Sequence, residues 1–103
     1  MKTVHKYPIV PNGMPYEGPT VHVTMPAFAE VLHVGVQGDD AFLWALVDTH
    51  KPMQVHSFEV YGTGHEVICD PPFVLHHLGT IHLPTGLVFH IFSKDAGDLG
   101  DEE

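Results

Sequence analysis

Ala41-Phe42-Leu43-Trp44-Ala45-Leu46-Val47 is apolar on both alternating faces, and Gly38-Asp39-Asp40 stands immediately before it. Two structures would use such a run. One is the central strand of a two-layer fold; the other is a single short buried helix capped by Asp40. The preceding turn sits at hairpin distance from another strand-like run, and Pro52 follows closely. Both favour the strand.

The same period-2 pattern continues outward in both directions. Upstream, Glu30 to Gln37 sets Leu32, Val34 and Val36 on one face and His33 on the other, and Thr20 to Met25 sets Val21 and Val23 together. Downstream, Met53 to Tyr61 puts His56, Phe58 and Val60 on one side and Val55, Ser57, Glu59 and Tyr61 on the other. Phe73 to Leu83 is rich in β-formers, and Leu87 to Phe92 closes the patterned part. Pro84-Thr85-Gly86 reads as a turn, and Asp70-Pro71-Pro72 forbids helix and central strand at that point. No run reaches the roughly 10–12 periodic residues of an ordinary helix. The expected fold is all-β: a compact sandwich or partly open barrel of six or seven strands. A sheet packed on one short helix is the alternative.

Pro8, Pro11, Pro15 and Pro19 predict an extended arm from Pro8 to Pro19, lying over the body and outside the sheet. The 103 residues suit one domain, predicted as residues 1–92, followed by a disordered acidic tail over 93–103. The chain has four lysines, no arginine, thirteen acids and a formal charge of −9. Five of the acids (Asp95, Asp98, Asp101, Glu102 and Glu103) lie in the last nine residues. This balance argues against nucleic-acid partners, which are gripped by basic faces. No stretch matches a signal peptide or a membrane helix. Cys69 is the single cysteine, so no intrachain disulfide can form, in keeping with a reducing cytoplasm.

Two groups of residues could carry chemistry. Gly62-Thr63-Gly64-His65 follows a strand, and its glycines could turn backbone N–H groups toward an anion, with His65 as a further donor. Tyr61 and Trp44 join this loop as candidate ligand-binding residues. The bland alternative is a strand-exit turn with Tyr61 and Trp44 in the core. The ten histidines raise a metal reading, with zinc or iron held by His33, His65 and His90. His76 and His82 share strand parity, with His77 opposite. There is no His-x-His, His-Glu-x-x-His or Cys-x-x-Cys pattern, so half-buried or surface histidines without any cofactor are the simpler reading. Cys69 lies beside Asp70 and near Glu66, a setting that leaves a thiol less reactive, and no nucleophile motif surrounds Ser57 or Ser93.

Four blocks in order carry a family resemblance: Val31 to Gln37 (VLHVGVQ), Leu43 to Asp48 (LWALVD), Val60 to His65 (VYGTGH) and Leu87 to Phe92 (LVFHIF). With Lys6-Tyr7-Pro8 and Met25-Pro26-Ala27, they resemble a family of short bacteriophage and prophage proteins classed as a domain of unknown function. The resemblance implies a phage origin and a small β domain, and it implies no activity. The expected function is a non-enzymatic phage accessory protein that binds a small molecule or a host protein in the host cytoplasm, countering host defence by sequestration. A metal-dependent enzyme built on the histidines and a small virion component are the alternatives. Strands apolar on both faces predict a homo-oligomer.

Overall fold

The structure is a computed structural model and describes residues 1–10 and 19–95. It contains seven strands and, among the described residues, no helix. They are β1 (Lys2–Val10), β2 (Thr20–Pro26), β3 (Glu30–Gln37), β4 (Asp40–Asp48), β5 (Met53–Gly62), β6 (Val74–His82) and β7 (Val88–Asp95). The fold is therefore all-β, and the deciding run is the central strand of its sheet, not a helix. Three antiparallel strands form one sheet in the order β1-β4-β3, and four form the other in the order β2-β5-β7-β6. The two sheets face each other as an open sandwich and do not close into a barrel.

Alternation in β4 explains why it is central. Ala41, Leu43, Ala45 and Val47 are buried, while Phe42, Trp44 and Leu46 point to the opposite face and are only half-buried. The small-large alternation on the inner side interlocks with Phe58 and Val60 of β5, Ile81 of β6 and Ile91 of β7. Each large side chain here contributes roughly 1.5–3 kcal/mol through burial. The β3–β4 hairpin is closed by two residues. Gly38 takes φ 66° at the first of them, the position a type II′ turn reserves for glycine.

Four expectations are adjusted. In β3 a register shift between Val31 and His33 takes Leu32 out of the face it was expected to share with Val34 and Val36. Pro8 and Val10, assigned to a free arm, belong to β1 and pair with Phe42 and Ala41 of β4. Proline is tolerated there because β1 is an edge strand, whose outer N–H groups have no partner strand to meet. The remainder of that arm, residues 11–18, lies outside the described residues. At the other end, β7 runs through Asp95, three residues beyond the expected limit at Phe92, and residues 96–103 of the acidic tail lie outside the description. Finally, a register shift between His77 and Gly79 interrupts β6. It breaks the parity read from the sequence: His77 now shares a face with Thr80 and His82, and His76 does not.

Candidate functional site

The Gly62–His65 loop leaves the end of β5 as a tight turn. The His65 N–H donates to the Gly62 carbonyl at 3.0 Å, and the Thr63 N–H reaches the Val88 carbonyl at 3.4 Å. Gly64 has φ 91°, and the His65 ring lies over Gly62, 2.9 Å from where a Cβ would stand. Both glycines thus have local reasons to be glycine. Two of the loop's N–H groups, those of Thr63 and His65, thus bond within the fold.

Side chains at this end form a chain of hydrogen bonds that sequence reading only half anticipated. Thr63 Oγ1 lies 2.8 Å from His90 Nε2, and His90 Nδ1 lies 2.9 Å from Thr80 Oγ1. Thr80 Oγ1 in turn lies 3.3 Å from His77 Nε2. The structure brings Thr63 and His90 together because β5 and β7 are neighbours, and adds Thr80 and His77 because β6 flanks β7. Parity along β6, misread without the register shift, was the missing signal.

The proposed metal trio is not assembled. His90 is on the outer face of the four-stranded sheet. His33 is on the outer face of the other sheet, its ring centroid 5.7 Å from that of Trp44. Among the described residues, no group of three or more metal-ligating side chains converges.

Tyr61 is buried, but on the outer side of the four-stranded sheet, beneath the segment that follows Gly62. Its hydroxyl donates to Glu59 Oε1 at 2.6 Å and lies 3.3 Å from the Ile68 carbonyl. Thr20 donates to Glu59 Oε2 at 2.7 Å, and the Lys94 ammonium lies 3.3 Å from the same oxygen. Burial pushes the Glu59 carboxyl up, but the bonds from Tyr61, Thr20 and Lys94 outweigh it and hold the group below the usual carboxylate range. Tyr61 is thus part of a structural network. Trp44 lines neither this network nor the loop; it stands on the outer face of β4 with Phe42.

The concave site lies at the opposite end of β5, where the sandwich is open. A cavity of about 420 Å³ is lined by Met25, Ala29, Val31, Phe58 and Leu78, with Val55, His56, Ser57 and Ser93 to Asp95 completing the wall. Met25 and Phe58 are fully buried and belong to the core, so the cavity is an inlet of the sandwich interior. Several of its polar residues are engaged elsewhere. Ser57 Oγ bonds His22 Nδ1, and the Lys94 ammonium is held by Glu59. His56 Nε2 meets the Pro26 carbonyl at 3.2 Å, which fixes the imidazole against the wall. Ser93 comes from the inward-facing row of β7, with Phe89 and Ile91. The inlet therefore has a mixed lining, apolar at its floor and polar over much of its wall, at a volume within the common range of small-molecule sites.

A match to the family described as "Domain of unknown function (DUF7352)" spans residues 1–99. The chain belongs to that family. No curated protein and no solved structure matches it. Family membership assigns DUF7352 chains no chemistry, so the site must be read from its own geometry.

Proposed function

We propose that this protein is a non-enzymatic phage accessory protein that sequesters a small molecule in the host cytoplasm, with the open end of the sandwich as its seat. The observation that carries this reading is the inlet between Val31 and Leu78, floored by Met25 and Phe58. Three of the inlet's polar groups are already engaged, Ser57 by His22, His56 by the Pro26 carbonyl and Lys94 by Glu59, and groups so held suit binding a compound better than transforming it. The Thr63–His90–Thr80–His77 chain lies away from the inlet and shares no residue with it.

Charge narrows the ligand class. With no arginine in the chain, with Asp95 at the rim and with Lys94 engaged by Glu59, a multiply charged phosphate has no clamp. An uncharged or cationic compound with both polar and apolar parts fits this mixed lining. The phage origin is supported by the four sequence blocks.

The test is mass spectrometry of small molecules released on denaturing natively purified protein. We expect one compound at close to one equivalent from the wild type. None should come from Ala29→Trp, in which the indole fills the inlet, provided that variant melts within a few degrees of wild type. Equal recovery of the compound from both proteins would remove the inlet as the seat.

A further inference from the structure

The outer face of the three-stranded sheet is a feature that neither the fold nor the inlet uses. Down its centre run Phe42, Trp44 and Leu46 of β4, all half-buried. Beside them stands Val4 of β1, 49% exposed, and Leu32, equally exposed, lies at the register shift of β3. Past the end of the sheet is Phe28, 86% exposed and held at φ 64°, a conformation that bulky side chains rarely adopt. No further strand lies over this face among the described residues. Antiparallel sheets that face water normally carry polar residues there, so a central strand apolar on its outer side calls for a covering layer.

Counting the Met1 ammonium beside Asp48, the Phe28 end of this face carries one net positive charge and the hairpin end two negative ones. At the Phe28 end, Lys2 and Lys51 border a groove shared with Glu30, Asp48 and Leu46, and the Lys51 ammonium lies 5.8 Å from the centre of the Phe28 ring. At the other end the hairpin carries Asp39 and Asp40. Lys6 sits between, its ammonium 4.5 Å from the centre of the Phe42 ring and bonded to Gln37. This side holds Lys2, Lys6 and Lys51 against Glu30, Asp39, Asp40 and Asp48, so it is close to balanced. The other described acids (Glu59, Glu66, Asp70 and Asp95) face only Lys94. Among the described residues this side is therefore the less negative one, and two copies meeting on it repel each other less.

We propose that a second copy of this chain covers the face, in a two-fold dimer whose β4 strands cross antiparallel. The antiparallel arrangement sets the lysine end of each copy, Lys2 and Lys51, over the partner's hairpin with Asp39 and Asp40. Phe42, Trp44 and Leu46 then meet their counterparts at the centre. The result has an apolar core and a charged rim, and every contact is made twice, as a two-fold interface requires. The inference does not depend on the inlet, which opens between the sheets.

Sedimentation of the full chain across the micromolar range tests it, with Trp44 as an internal reporter because it is the only tryptophan. Wild type should reach twice the 11.4 kDa chain mass as concentration rises, with Trp44 emission shifting to the blue in parallel. Asp39→Lys, at an exposed turn position, should weaken association at least tenfold. Adding Lys2→Glu and Lys51→Glu to that variant should restore it, because the exchanged ends again oppose each other. A single-copy species at every concentration would overturn the proposal. So would a dimer indifferent to these charge changes, or a Trp44 shift that appears only when a different protein is added.

Discussion

Glu59 ties the stability of the fold to its own ionisation state. It is 3% exposed, yet three side chains donate to it, so its charge is compensated inside the protein. The sign of its pH effect follows from its lowered ionisation. A carboxyl held below its unfolded value contributes its stability fully above that value, near 4.3 for glutamate, and loses it as pH falls through the folded value. Urea unfolding from pH 6 down to pH 3 should therefore show wild type losing more stability than Glu59→Gln, which has no such charge to protonate. At neutral pH, Tyr61→Phe should cost about 1.5–3 kcal/mol, the usual value of a hydrogen bond to a charged group. Parallel curves for wild type and Glu59→Gln would show that the network contributes nothing through charge. The shared side of Glu59 and Tyr61 was legible in the alternation from Met53 to Tyr61. Thr20 and Lys94 were not, because strand order is set by long-range pairing that periodicity does not encode.

At the level of elements, the approach of β3 to β6 joins the two sheets along one side of the sandwich. Gly79 makes that approach possible: a Cβ there would stand 2.5 Å from Val34 Cγ2. Val34 is buried and β-branched, so it cannot swing away at small cost. Gly79→Ala should destabilise by about 1–3 kcal/mol through overpacking, measured by urea unfolding. In a Val34→Ala background the same substitution should cost much less, since the atom it strikes is gone. Equal costs in both backgrounds would place the strain elsewhere. The strand identity of Ala41 to Val47 and its hairpin were readable because an alternating pattern and a glycine turn agreed. The register shift in β6 was not, because a single extra residue reverses parity without any change in composition. That reversal is why Thr80 and His77 were missed while Thr63 and His90 were named.

For the whole molecule, the same sandwich presents two features of different kind: an inlet of mixed lining at one end and an outer face on the three-stranded sheet with an apolar central strand. The loop that looked most ligand-like in sequence, Gly62 to His65, follows the end of β5, while the inlet is walled by Val55 to Phe58 near its start. Glycines with special backbone needs are visible in a sequence, whereas a concavity between two sheets exists only once the sheets are packed. The most direct test is an amide chemical-shift map of isotope-labelled protein titrated with the compound released from the natively purified chain. The account predicts the largest shifts at Ala29, Val31, Val55 to Phe58, Leu78 and Ser93, with Gly62 to His65 unmoved. Shifts centred on Gly62 to His65, or no shifts at the inlet on saturation, would contradict it.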